Sequence, residues 1–378
     1  MIETEVTKTF KDLIEEVHKP GLCGSCGGCV SFCSAGELSA IGFGEDGRPK
    51  YIDENNCLEC GICYLICPQI DVLDEDIKKK FNWKEPIGQF KRIVSARSTN
   101  PDILKRATDG GVVTSIIHCL LDKKMIDGAV VSKKTSQFGR KPMIATTYED
   151  ILSAAGSRFT GISGVEELSR FSTYSPTMFA IKEIVNMDLI KIAVVGTPCQ
   201  IHTLRKMQSL HVVPSHVVKF VLGLFCSENF SFEASEKEDV EEVIGASLDD
   251  IEKLNIREDF IIDLKNGEKK HIPLEKMKSF VRSACFACSD FANDFADLSF
   301  GGLGSPEGWT TVLIRTDFGE TIYQEAIRHG FIEELDLDQI ECNKNEHERL
   351  EKITEFTNMK RNRAQKIKMD KKSVNEKT

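Results

Sequence analysis

The residues best able to do chemistry in this chain are its cysteines, 14 in 378 residues. Twelve of them fall into three groups of four. The first group is Cys23, Cys26, Cys29 and Cys33, and the second is Cys57, Cys60, Cys63 and Cys67, followed by Pro68. The third group is dispersed along the chain: Cys199, Cys226, Cys285 and Cys288. Both compact groups have the spacing C-x2-C-x2-C-x3-C, a run that wraps a [4Fe–4S] cluster and so predicts one-electron chemistry.

The spacing within a compact group has a mechanical reason. Three cysteines at i, i+3 and i+6 let one tight loop present three thiolates to one cluster, and the fourth reaches the other cluster. We therefore predict one cluster on Cys23, Cys26, Cys29 and Cys67, and another on Cys57, Cys60, Cys63 and Cys33. Ser34 stands where a proline is usual. Zinc sites or disulfides are the alternatives, and two complete runs argue against both.

The dispersed group depends on the fold. Cys199 and Cys226 each follow an apolar stretch typical of a buried parallel strand. Cysteines at the carboxyl ends of parallel strands can converge at one sheet edge, where Cys285 and Cys288 could complete a cluster from a loop. Buried cysteine is also common as a small apolar side chain, so spacing alone leaves both interpretations open. No role is assigned to Cys119, which is expected in the core, or to Cys342.

Composition narrows the class of protein. Hydrophobic residues make up 41% and charged residues 29%, as in ordinary globular proteins, and the net charge is -10. This negative charge argues against general binding of nucleic acid, which needs a basic face. No signal peptide and no apolar run of the ~18 residues needed to span a membrane is found. We expect a reducing, cytoplasmic setting, either free or peripheral on a membrane complex.

Changes in composition divide the chain into five parts. We expect an N-terminal helix over 1–20, a two-cluster α+β domain of the bacterial ferredoxin type over 21–70, a linker over 71–90 crossed by few core contacts, an α/β domain over 91–344, and a tail over 345–378 passing from helix to disorder. In the α/β domain we predict strands at 93–96, 129–131, 192–195 and 217–225, and a helix at 112–121. A hairpin is predicted at 259–273, with a type I′ turn at Asn266 and Gly267.

Several stretches of the α/β part carry a family resemblance in their order and spacing. They are SARST at 95–99, DGGVVT at 109–114, AGSRF at 155–159, GTPCQ at 196–200, FCSENF at 225–230, ADLS at 296–299 and GSPEGWTTV at 304–312. Residues from about 92 to 340 resemble the beta subunit of coenzyme F420-reducing hydrogenase and the related dehydrogenase input subunits. The whole arrangement is similar to those input subunits and to the N-terminal half of coenzyme F420-dependent sulfite reductase.

The resemblance implies an α/β flavin-binding domain in which the dispersed cysteines hold a third [4Fe–4S] cluster beside FAD. Independently, Gly110 and Gly111 precede a predicted helix, where backbone N–H groups can approach a phosphate, although an ordinary turn has the same pattern. Thr108 and Thr114 could add hydroxyl donors, and Arg97 and Arg158 are either phosphate partners or surface charges. The predicted FAD contacts are Arg97, Ser98, Thr108, Gly110, Gly111, Val113, Thr114, Ser157, Arg158, Pro198 and Gln200. Extra residues at 161–171 lie where the family has a short turn near the flavin, so no contact is assigned there.

The resemblance also implies the reaction. Hydride would pass between coenzyme F420, the substrate, and FAD, and single electrons would pass through three [4Fe–4S] clusters to a partner, in either direction. The partner would be ferredoxin or a larger redox complex of the hydrogenase, heterodisulfide reductase or membrane dehydrogenase type. A basic run could attract the anionic coenzyme or be a solvated face: Lys133, Lys134, Arg140 and Lys141. No side chain is expected to act as acid or base.

Three alternatives remain at this point. The chain could be a free-standing oxidoreductase between reduced coenzyme F420 and ferredoxin, a non-catalytic electron-transfer adaptor without flavin, or a family flavoenzyme acting on a different substrate. The glycine-rich and Gly-Trp-Thr-Thr stretches argue against the adaptor.

Overall fold

The structure is a computed structural model that describes residues 7–35, 38–136, 139–157, 160–161, 170–335 and 346–375. Its helices are α1 Phe10–Leu13, α2 Gly28–Ala35, α3 Ile62–Leu65, α4 Asp74–Lys80, α5 Pro101–Arg106, α6 Val112–Asp122, α7 Tyr148–Ala154, α8 Pro198–Ser209, α9 Lys237–Ile244, α10 Ser283–Phe286, α11 Asp317–Arg328 and α12 Glu346–Asn375. Its strands are β1 Ile41–Phe43, β2 Pro49–Tyr51, β3 Arg92–Ser98, β4 Gly128–Ser136, β5 Gly139–Ala145, β6 Thr160–Gly161, β7 Arg170–Ser172, β8 Ile192–Gly196, β9 Val218–Leu224, β10 Ser231–Glu233, β11 Ile251–Ile256, β12 Asp259–Leu264, β13 Lys269–Pro273, β14 Leu298–Gly301, β15 Thr310–Ile314 and β16 Ile332–Glu334.

One large mixed sheet organises the chain from β3 onward. Its strand order is β10-β7-β6-β5-β4-β8-β9-β14-β15-β3-β16. The central strands β4, β8, β9 and β14 pair in parallel, and the pairs β4–β5, β14–β15 and β15–β3 are antiparallel. The strands predicted from their apolar runs are confirmed, and the parallel centre explains why those runs are nearly continuous in apolar residues.

Helices cover both faces of this sheet. The apolar stripe of α6, including Ile116 and Leu120, packs with α11 on one face, and Cys119 is fully buried there as a core side chain. On the other face α8 and a 3-10 helix, Thr177–Asn186, bury Ile181, Ile201 and Leu204. The sheet therefore lies as the middle of three layers.

The N-terminal part forms its own small core. Phe10, Leu13 and Val17 are buried on one face of α1 and the π-helical turn that follows it. They pack against Val30 of α2 and the neighbourhood of the short β1–β2 sheet. A helix is present within the expected N-terminal segment, over Phe10–Leu13 and Ile14–His18, and its apolar face supports the two compact cysteine groups.

The expectation that few core contacts cross residues 71–90 is wrong. These residues contain α4, whose Ile77 is buried in the same apolar cluster as Leu204 of α8. Trp83 donates its indole N–H to Asp294 Oδ2 at 2.7 Å. The many charged residues of this segment suggest an exposed linker, but its few apolar side chains lie on the face that packs against the core.

Two further expectations change in detail. The hairpin of β12 and β13 is confirmed, but Gly267 has φ of +87° while Asn266 is not among the described residues with positive φ. A type I′ turn needs positive φ at both, so the turn is of another type. The tail is helical through Asn375, and α12 buries Ile353 and Ala364 against the sheet and its loops. Among the described helices, none is both long and apolar enough to cross a membrane.

Candidate functional site

The second compact cysteine group surrounds one small cavity. Cys57, Cys60 and Cys63 line it from the loop before α3 and from α3 itself, and Cys33 lines it from α2. Burial raises the pKa of Cys63 to about 12, and the charges of Cys60, Cys57 and Cys33 also act on it. The crosswise grouping predicted from the spacing is therefore the arrangement in the fold.

The first compact group is crosswise in the same way. Burial raises the pKa of Cys29, and the nearby thiols Cys26, Cys23 and Cys67 raise it further. Burial likewise raises the pKa of Cys67, on which Cys26 and Cys23 also act. Thr203 of α8 lies 3.5 Å from Cys26 Sγ through its hydroxyl, so this group touches the α/β domain directly.

The dispersed group converges at the carboxyl ends of β8 and β9. Gly196 and Gly223 are register partners in these parallel strands, so the chain leaves both strands at one edge and reaches Cys199 and Cys226. Burial raises the pKa of Cys226, and Cys285, Cys288 and Cys199 act on it electrostatically. The convergence expected from the strand ends is present, with Cys285 on α10.

Each of the three cysteine groups brings together four thiols, the number of ligands that a [4Fe–4S] cluster takes. All the described cysteines are free, and no three His, Cys, Asp or Glu side chains in the described ranges are grouped to hold a metal ion. A [4Fe–4S] cluster is larger than one ion and takes four separate thiolates. Burial raises the pKa of Cys29, Cys199 and Cys226, and binding of a cationic group would favour loss of their protons.

The three groups follow one another in space. Tyr174 is buried, and its hydroxyl lies 3.3 Å from Cys199 Sγ. Burial raises the pKa of Tyr174, and the charges of Cys199 and Cys26 raise it further. Burial raises the pKa of Cys199, and the charges of Cys288 and Cys26 raise it further, so the dispersed group lies next to the first compact group. Cys29 of the first group is influenced by Cys63 of the second. The order is dispersed group, first group, second group, and Cys60 of the last is exposed.

The C-terminal helix supports the dispersed group, which the sequence did not reveal. Lys360 Nζ donates to the carbonyls of Cys226 at 2.5 Å and Asp290 at 2.7 Å. Arg363 pairs with Glu228 at 2.6 Å and donates to the carbonyl of Cys285 at 3.2 Å. Ile353 and Lys360 are seven residues apart and both buried, so they lie on one face of α12, but this spacing alone does not distinguish Lys360 from an exposed lysine.

A cavity of about 340 Å³ lies beside the dispersed group, at the carboxyl ends of the parallel strands. Cys226 and Tyr174 form part of its wall, as does the N-terminus of α6. Six of the eleven predicted FAD contacts line it: Thr108, Gly111, Val113, Thr114, Ser157 and Gln200. This is the sheet edge where α/β folds bind ligands.

The other predicted contacts lie elsewhere. Arg97 stacks on Trp309 at 4.5 Å and pairs with Glu333 at 2.6 Å, so its charge is used away from the cavity wall. Ser98 is buried and bonded to Ser115 at 2.6 Å. Gly110 and Pro198 are also absent from the wall described, and Arg158 lies outside the described residues.

A side chain added at Gly111 would point away from the cavity, although the backbone of Gly111 lies on the cavity wall. A Cβ at Gly111 would lie 2.8 Å from Ile103 and 3.3 Å from Ala107, in the core behind the cavity. Its φ of +70° requires glycine at the start of α6. A side chain there would strain the turn and press on the core.

Sequence reasoning missed a polar network on the cavity wall. Asp109 accepts hydrogen bonds from Asn255 at 2.8 Å and from Arg257, with which it forms a largely buried ion pair. Gly302 has no room for a side chain, because a Cβ would lie 2.4 Å from Arg257 Nε. Asn255 and Arg257 lie 146 and 148 positions from Asp109 in the sequence, so no local motif predicts these contacts.

The basic run divides between two places. Lys133 lies 3.8 Å from Asp150, and Lys141, its register partner in β5, lines a second, larger cavity. The side chains of Lys134 and Arg140 lie outside the described residues, as do 162–169 of the extra segment and Cys342. The ends of that segment are described, and β6 pairs with β7.

Comparisons with known proteins agree with this architecture. Residues 93–169 match the N-terminal model, and 189–340 the C-terminal model, of the coenzyme F420 hydrogenase/dehydrogenase beta subunit. The coenzyme F420 hydrogenase subunit beta of Methanococcus voltae is 35% identical over 259 residues, 68% of this chain and 88% of that protein. The coenzyme F420-dependent sulfite reductase of Methanocaldococcus jannaschii is 31% identical over 369 residues, 91% of this chain and 53% of that protein.

A solved structure is similar as well. A chain of the F420-reducing [NiFe] hydrogenase complex from Methanosarcina barkeri has a TM-score of 0.66 and 30% identity, covering 77% of this chain and 96% of its own length. The fold and these relatives define the class, an α/β oxidoreductase. Within that class, the chain belongs to the coenzyme F420 hydrogenase/dehydrogenase beta-subunit family.

Proposed function

We propose that this protein exchanges hydride with coenzyme F420 at a bound FAD and exchanges single electrons with a redox partner through three [4Fe–4S] clusters. The observation that carries the proposal is the spatial order of four sites. The cavity adjoins the dispersed cysteine group, that group adjoins the first compact group, and the first adjoins the second. A line of sites from an internal cavity to an exposed cysteine is what electron exchange with a partner needs.

The cavity has the chemistry that a flavin nucleotide needs. The N-terminus of α6 supplies backbone N–H groups at the wall beside Thr114, and a helix N-terminus favours a phosphate there. Thr108 accepts a hydrogen bond from the N–H of Ser157 at 2.8 Å and thereby holds a second wall segment in place. When bound, FAD would supply the conversion between two-electron hydride and single electrons.

Each cysteine group would hold one [4Fe–4S] cluster, the one-electron carrier that such thiolate sets take. The proposed ligands are Cys199, Cys226, Cys285 and Cys288; Cys23, Cys26, Cys29 and Cys67; and Cys57, Cys60, Cys63 and Cys33. Asn229 donates to Cys226 Sγ at 3.2 Å, and Thr197 lies 3.4 Å from Cys199 Sγ through its hydroxyl. Such polar contacts to sulfur help to set a cluster's potential.

The substrate and the partner follow from the relatives. Three of them carry coenzyme F420 in their names, as a hydrogenase subunit, a sulfite reductase and a chain of a hydrogenase complex. We therefore propose coenzyme F420 as the two-electron substrate. The partner would be ferredoxin or a larger redox complex, approached through the surface around Cys60 and Leu58, both of which are exposed.

An assay with two electron donors tests this function. The full chain, purified without oxygen, is expected to reduce a one-electron viologen dye with reduced coenzyme F420 and not with NADH. Iron and FAD are measured on the same sample, so that a poorly loaded preparation is recognised. Dye reduction by NADH alone, in protein that carries both iron and flavin, would give the cavity a different substrate.

A further inference from the structure

Lys360 is a buried cation at the dispersed cysteine group. Its side chain lies on α12, and the residue is 4% exposed. The ammonium donates to the carbonyls of Cys226 and Asp290. The carboxylate of Asp290 is turned to the N–H groups of Asn293 and Asp294. Among the contacts described for this ammonium there is no ion pair or hydrogen bond to a carboxylate, and the charge of Asp290 acts on it only through space.

The neighbouring basic residues differ. Arg361 and Arg363, on the same helix, pair with Asp294 and Glu228. Lys206, the fully buried lysine beside the first cysteine group, pairs with Asp74 at 2.8 Å. Lys360 is thus buried without a directly paired carboxylate of the kind that balances these cations, since the Asp290 carboxylate is hydrogen-bonded to backbone N–H groups.

A buried charge without a paired counter-charge is costly, so a negative group in direct reach of the ammonium would stabilise it. A [4Fe–4S] cluster with four thiolates is negatively charged, and more so when reduced, and nearby charge is one determinant of its potential. We propose that Lys360 is a positioning residue whose charge balances the cluster on Cys199, Cys226, Cys285 and Cys288 and raises its reduction potential. This inference rests on the proposed function.

The test compares three variants of the full chain, purified without oxygen. Lys360→Met removes the charge at similar length, Lys360→Arg keeps it, and Lys366→Met changes an exposed lysine on the same helix. Iron content is measured first, and the midpoint potential of each cluster is then found by a redox titration followed by electron paramagnetic resonance.

In Lys360→Met one cluster is expected to become harder to reduce by at least tenfold in equilibrium constant, about 59 mV for one electron. Lys360→Arg should stay near the wild type, and Lys366→Met should match it. Loss of about four iron atoms in Lys360→Met but not in Lys360→Arg would also support the charge balance.

Two results would overturn the inference. One is an iron-replete Lys360→Met protein with unchanged potentials. The other is an equal effect of Met and Arg, which would mean that shape and not charge matters. A wild-type protein with only about eight iron atoms would instead contradict the proposed third cluster itself, and the inference with it.

Discussion

Replacing Lys206 by Met should release α4 from the body of the protein. The side chain of Lys206 is fully buried; its Nζ donates to the carbonyls of Cys67 at 3.1 Å and Ile70, and forms an ion pair with Asp74 at 2.8 Å. Burial alone would raise the pKa of Asp74, but His202 and Lys206 lower it below its ordinary value. The carboxylate is therefore ionised at neutral pH, and removing the lysine leaves it without its nearest cation.

The size of the effect follows from this geometry. Breaking a buried ion pair from one side costs about 3–5 kcal/mol. Asp74 is 26% exposed and keeps His202 at 3.1 Å, so the lower end of that range applies. A local loss of about 3 kcal/mol corresponds to a roughly 100-fold larger equilibrium constant for opening of the segment 67–80.

Native-state amide hydrogen exchange measures this without requiring reversible unfolding. The N–H groups of Ile77 and Phe81, which are bonded within and at the end of α4, should exchange roughly 100-fold faster in Lys206→Met. Amides of α11, on the opposite face of the sheet, serve as the internal control. Asp74→Asn should cost much less in the Lys206→Met background than alone, because the two residues act as a pair. Exchange in α4 that rises less than about threefold, or costs that simply add, would refute the proposed anchor.

Three further predictions concern the cofactor sites. Cys60→Ser should remove about four of roughly twelve iron atoms, as measured by iron analysis. Reduction of the flavin by reduced coenzyme F420, followed by rapid mixing, should remain intact. Loss of flavin reduction would mean that the flavin and cluster sites are not separate. Cys33→Ser should abolish the same resonance signal as Cys60→Ser, and loss of a different one would contradict the crosswise grouping. Thr114→Asp should lower the FAD content, because it places a negative charge at the proposed phosphate position, while aspartate is well tolerated at the third residue of a helix. Thr114→Asn is the neutral control. Equal FAD content in both variants would mean that the phosphate binds elsewhere.

Much of the redox site could be predicted because its information is local. The compact cysteine runs specify loops by spacing alone, and the placement of Cys33 with the second group follows from the same spacing. Cys199 and Cys226 could be brought together only by assuming parallel strands, an assumption that the register of β8 and β9 confirms.

What could not be predicted comes from contacts between distant positions. Lys206 and Cys67 are 139 positions apart, and Lys360 and Cys226 are 134 apart. Neither lysine differs in sequence from an exposed one, since burial depends on which helix face meets the core. The sequence also could not show where a side chain added at Gly111 would point, because a glycine pair predicts a turn but not which of its faces lines the cavity.

The central claim is that hydride from coenzyme F420 is converted to single electrons within this chain. It is tested most directly by titrating the anaerobic, iron- and flavin-replete protein with reduced coenzyme F420, following flavin absorbance and cluster resonance signals together. We predict that the flavin bleaches and that signals of reduced clusters appear in the same titration. A fully loaded protein whose flavin bleaches without any cluster signal, or does not bleach at all, would contradict the account.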